Sequence, residues 1–196
     1  MPKSYSEQER EYIMKRLKEE AVKCLAQYGV RRTTVDEIVK RVNIPKGTFY
    51  LFYQSKELLL FEAIQEQHEI VNRKLYQALS DLATQELTAG ELTNAIFDFY
   101  KMTENMPILK MLDLREVELL ARKLPREIVE EHLQDDTDTI EKMFALLPIK
   151  KEVDINVISA VFHAIYYATL HKSEIGEEQY DEALRTLIYG IVIQFI

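Results

Sequence analysis

The chain has 196 residues, 47% of them apolar and 30% charged, with a net charge of −8 and a single cysteine. This content suffices for one large helical domain or two modest ones, and one cysteine excludes an intrachain disulfide and points to a reducing, cytoplasmic setting. No apolar run reaches the ~18 residues that span a bilayer, the N-terminal MPKSYSEQERE lacks the apolar stretch of a secretory leader, and five glycines with five prolines leave little room for hairpins, so an all-α fold without a membrane segment is expected.

The first predicted helix runs from Ser6 to Tyr28. Ser6 and Glu9 make a capping box, Gly29 is a C-cap candidate, and the apolar stripe is Ile13, Leu17, Ala21, Leu25 and Tyr28. Cys24 falls on that side and reads as a small core residue. A second helix starts at Thr34, whose Thr-Val-Asp-Glu sequence is another capping pattern, and buries Val35, Ile38, Val39 and Val42. Asn43 supplies a permissive backbone for the turn. A third helix is expected from Pro45 to Tyr53, with Pro45 in its first turn. Ser55 then caps a long fourth helix reaching Leu82. Further helices are expected at 89–105, 107–113, 114–123, 125–147, 154–172 and 177–196, punctuated by Pro107, Pro125, Pro148 and Gly176.

Charge is unevenly spread. Residues 1–56 hold 12 Lys/Arg and 7 Asp/Glu, a net of +5, whereas residues 57–196 carry −13. A small basic head on an acidic body follows. Because phosphate attraction is screened within about 10 Å at ordinary salt, the local sign outweighs the total.

Two short helices, a tight turn and the start of a third helix within 33–57 make a helix-turn-helix pattern. The segment also resembles the N-terminal domain of the tetracycline-repressor (TetR) family. The resemblance rests on Gly29, Thr34, Ile38, Ile44, Lys46, Gly47, Thr48, Tyr50, Tyr53, Ser55, Lys56, Glu57 and Leu59. Asn43, Pro45 and Phe52 depart from the residues usual in that family, which bears on the operator sequence rather than the fold. The resemblance covers about 30 residues closely. It implies residues 1–54 as a DNA-binding domain and 55–196 as a helical effector-binding and dimerisation domain.

Expected DNA contacts follow from chemistry. Thr33 and Thr34 stand at the N-terminus of the second helix, where hydroxyls and free N–H groups suit a phosphate. Lys46 and Thr48 are the base-edge candidates, beside Pro45, with Gly47 letting the backbone come close. The Tyr50 hydroxyl suits a phosphate, and Lys56 reads as a clamp on the DNA backbone. Arg31, Arg32 and Arg41 add sequence-independent attraction.

Helix-turn-helix units of this size bind weakly alone, and a two-fold homodimer addresses a palindromic operator on double-stranded DNA. Ala160, Ala164 and Ala168 form a small-residue row on one helix; Leu184, Leu187, Ile188, Ile191 and Phe195 lie on the last. These are the expected dimer interface. Phe97, Tyr100, Met106, Met111, Phe144, His163 and Tyr167 are candidates to line a pocket for an unknown, largely apolar small-molecule effector. Members of the family commonly lose DNA affinity on binding such a molecule, and the fourth helix, joining both halves, is the expected lever. The regulator would then be a repressor released by its effector.

An enzyme is not expected. No Glu-x-x-His, HExxH, CxxC, P-loop or GxSxG pattern occurs, and neither cofactor nor metal is implied. A second reading, motivated by the acidic surplus, is a helical protein-interaction module whose helix-turn-helix reads no DNA.

Overall fold

The computed structural model describes residues 5–83, 87–104, 114–148, 150 and 154–196. Among them every regular element is a helix: α1 (Glu7–Arg32), α2 (Val35–Val42), α3 (Lys46–Phe49), α4 (Lys56–Ala83), α5 (Ala89–Glu104), α6 (Leu114–Ala121), α7 (Arg126–Ala145), α8 (Ile155–Leu170), α9 (Lys172–Ile175) and α10 (Tyr180–Phe195). The helix expected at 107–113 lies outside the described residues.

Local chemistry accounts for most boundaries. The Ser6 and Glu9 capping box forms in both directions. Thr34 caps α2 by accepting from the Glu37 amide, but Glu37 turns its carboxylate to Arg41 instead of back to Thr34. Asn43 closes α2 at φ 60°, ψ 48°. Ser55 accepts from the Leu58 amide at the start of α4. Two expectations shift. α1 does not stop at Gly29. That residue leaves helical geometry at φ 71°, and one more turn carries the helix to Arg32. α3 is only four residues long, and Pro45 is its extended N-cap (ψ 145°) rather than its first helical residue.

The described residues of Met1–Glu69 and Pro107–Val129 form one compact unit, and those of Ile70–Met106 and Glu130–Ile196 form another. The first thus holds the expected 1–54 domain together with the start of α4 and with α6. Its core gathers Leu17, Ala21, Cys24, Leu25, Ile38, Phe49, Leu59 and Leu60, joined by Leu120 and Leu124. Each leucine, isoleucine or phenylalanine there contributes about 1.5–3 kcal/mol on full burial. The second unit packs α5 on α10, where Leu92, Ile96, Phe97 and Tyr100 meet Tyr180, Leu184, Ile188 and Val192. The Tyr100 hydroxyl donates to the Phe162 carbonyl at 2.8 Å, so α8 is tied to the same core. No described helix is long and apolar enough to cross a membrane.

Candidate nucleic-acid interface

The helix-turn-helix is fixed from beneath by polar ties as well as by its core. The Glu116 carboxylate of α6 accepts from the Val30 amide, just after the break at Gly29. A side chain at Gly29 would need a left-handed φ and would sit 3.1 Å from that carboxylate, so glycine serves both demands. The Lys56 ammonium donates to the Val30 and Thr33 carbonyls at 2.7 and 2.6 Å. Burial pulls the Lys56 pKa below the usual lysine value.

These ties redistribute the expected contacts. Lys56 is spent inside the protein, holding the end of α1 to α4, and does not reach outward as a phosphate clamp. Thr33 is fully buried, and its hydroxyl donates to the Gly29 carbonyl. It caps α1 and presents nothing at the surface. Thr48 is also buried, and its hydroxyl shares a hydrogen bond with that of Tyr5. Arg41 bonds Glu37, Gln27 and Tyr28, so it braces α2 against α1. Lys56 and Thr48 read as DNA-facing in sequence because their partners lie 23 to 43 residues away, whereas Thr33 and Arg41 are turned to partners on the adjoining helix ends.

A coherent exposed set remains. Thr34, Pro45, Lys46, Gly47 and Tyr50 are all exposed, as are Arg31 and Arg32. A Cβ at Gly47 would meet nothing within 4 Å, so the backbone there is open to close approach. Thr34 stands at the N-terminus of the eight-residue α2, where unpaired N–H groups favour an anion. Lys46 opens α3, and its ammonium lies 2.9 Å from Asp36 Oδ2. The Asp36 hydrogen bond raises the Lys46 pKa, so the ammonium is a full cation at physiological pH. Sequence reasoning passed over Asp36, which it absorbed into the capping of α2.

Residues 17–63 match the model of the family "Bacterial regulatory proteins, tetR family". The chain is 22% identical over 177 residues to the fatty acid metabolism regulator protein of Bacillus subtilis (strain 168), covering 87% of this chain and 91% of that one. Residues 17–63 carry a TetR-family N-terminal domain. The fold of the chain matches a putative TetR-family transcriptional regulator from Mesorhizobium loti with a TM-score of 0.75 at 14% identity, over 95% of this chain and 98% of that one. It also matches RolR in complex with resorcinol, with a TM-score of 0.54 at 17% identity over 95% and 90% of the two chains.

The second unit was expected to carry a dimer face and a pocket. On α10, Leu184 and Ile188 are buried in the protomer's own core and so are unavailable to a partner. Leu187 is 54% exposed and Ile193 47%, while Ile191 and Phe195 are half-buried. The open apolar stripe therefore keeps Leu187 from the expected set and continues through Gly190 and Ile193, which that set did not include. On α8, Ala160 and Ala164 are exposed and Ala168 half-buried, on a face shared with exposed Val157 and Tyr167.

Among the described residues, Phe97, Tyr100, Phe144 and Tyr167 do not line a common cavity. Phe97 is buried beneath the Arg185 guanidinium, 3.6 Å from the ring centre. Tyr100 is core, and burial raises its pKa well above the usual value. Phe144 stacks on Phe162 at 6.1 Å. Tyr167 is exposed. Met106, Met111 and the side chain of His163 lie outside the described residues. A groove of about 490 Å³ instead opens between α4 and α5, floored by Leu75, Ala78, Leu82, Ala95, Phe99 and Met102.

Proposed function

We propose that this regulator binds a palindromic operator on double-stranded DNA as a homodimer and represses transcription until a small, largely apolar effector releases it. The observation that carries the reading is the exposed set Thr34, Lys46, Gly47 and Tyr50 within residues 1–56, whose net charge is +5. Two such heads, related by a two-fold axis, address two half-sites one helical turn apart. The open stripes on α8 and α10 supply the surface for pairing, since contiguous exposed apolar area on a soluble chain marks an interaction site. Release requires only that the effector bind better to the protein when it is off DNA. The resorcinol complex of RolR and the name of the B. subtilis relative support a small organic effector. A cytoplasmic location and the absence of enzymatic activity belong to the same reading.

Selection of bound duplexes from a random pool tests the proposal. The expected product is a palindrome, bound at two protomers per duplex, with Lys46→Ala binding it about tenfold or more weakly. Failure to enrich any sequence would favour the protein-interaction reading.

A further inference from the structure

The exposed ion pair between α2 and α3 has a geometry of its own. Lys46 Nζ and Asp36 Oδ2 sit 2.9 Å apart with side chains 50% and 72% exposed. They stand on the first residue of α3 and the second residue of α2. An exposed pair of this kind adds little stability. A carboxylate also opposes binding to a polyanion, so its place beside the one cation that opens α3 calls for a role other than affinity.

The spacing suggests that role. In the major groove a G·C pair presents N7 and O6 as acceptors beside the N4 amino donor of cytosine. O6 and N4 are joined by a hydrogen bond and so lie about 2.9 Å apart. A donor and an acceptor held at the same separation can lie alongside that bond. An ammonium has three N–H donors. One is used on Asp36, leaving two for O6 and N7 of guanine, while Asp36 accepts the outward N4–H of cytosine. An A·T pair places an amino donor where O6 would be, so the ammonium loses a partner, and thymine adds a methyl group.

We propose that Asp36 is a specificity-determining residue of the interface: together with Lys46 it reads a single G·C base pair in each half-site, with guanine on the lysine side. This rests on the DNA-binding reading above. It assigns base recognition to a side chain of α2, outside α3, the helix expected to do the reading.

Duplex selection with the full-length wild type, Asp36→Ala and Asp36→Asn tests it. Asp36 is exposed, so both variants should keep the wild-type fold, which circular dichroism and thermal melting check. In the wild type one symmetric position of the palindrome is expected to be G·C. Asp36→Ala is expected to relax G·C over A·T at that position by about tenfold, while affinity for a random duplex holds or rises as a negative charge is removed. Asp36→Asn is expected to move the preference there towards A·T, since an asparagine amide pairs with adenine N6 and N7. Identical selected sequences for all three proteins, or a change spread evenly over the site, would overturn the assignment. A wild type that enriches no palindrome removes the DNA-binding reading itself, and that result is in hand before the variants are compared.

Discussion

The two compact units spend their side chains in opposite ways. In the first, polar groups that sequence reasoning sends outward are turned inward. Lys56 bonds the Val30 and Thr33 carbonyls, Thr33 bonds Gly29, and Thr48 meets Tyr5. In the second, apolar groups remain outward: Leu187, Ile193, Val157 and Tyr167 are all exposed. A rigid head with a small polar contact set is what readout of base edges requires. A body with uncovered apolar stripes is what association requires.

The sharpest way to break this contrast is to mutate neighbours on α10. Ile188→Ala removes a fully buried side chain and is expected to cost about 2–5 kcal/mol of stability in urea unfolding. Leu187→Asp, one residue away, places a charge on the open stripe. It is expected to leave helix content intact and to shift the sedimentation profile from dimer to monomer. Equal effects of the two changes would erase the distinction between core and outer stripe.

A smaller effect sharpens the account of the head. Lys56→Ala leaves two buried carbonyls without their donor, at a cost of roughly 2–3 kcal/mol. For protein that remains folded, the slope of DNA affinity against salt is expected to match wild type. A slope shallower by about one unit would mean that Lys56 neutralises a phosphate after all.

The smallest effect concerns pH. The Lys23 hydrogen bond, aided by Arg16, holds the Glu20 carboxyl below the usual glutamate range. Its folded pKa lies below its unfolded value near 4.3, so its contribution is present at neutral pH. That contribution is lost as pH falls through the folded value. Arg16 and Lys23 are largely solvated, so the contribution is about 1 kcal/mol or less. Glu20→Gln is expected to lower stability slightly at pH 7 and to show a flatter acid limb than wild type below pH 4.

How far the sequence could be read follows from the range of each interaction. Ser6 with Glu9, Thr34 with Glu37, Asn43 and Ser55 were legible because each acts within a few residues. The roles of Lys56 and Thr48 were not, since their partners lie 23 to 43 residues away. Pro45 was placed one position too deep because a proline at a helix start satisfies either the N-cap or the first turn. On α10 the helical period gave apolar stripes correctly. It could not show which stripe meets the protomer's own α5, because adjacent stripes are equally apolar. Phe97 and Tyr100 have the composition of pocket residues, yet they fill a core. Only packing separates those outcomes.

The central claim is that a basic head on an acidic chain engages duplex DNA through its phosphates as well as its bases. Titrating salt against affinity for the selected duplex tests it most directly. Six or more phosphate contacts predict a loss of about a thousandfold between 50 and 200 mM salt. A nearly flat dependence, or no duplex binding at low salt, would contradict the account.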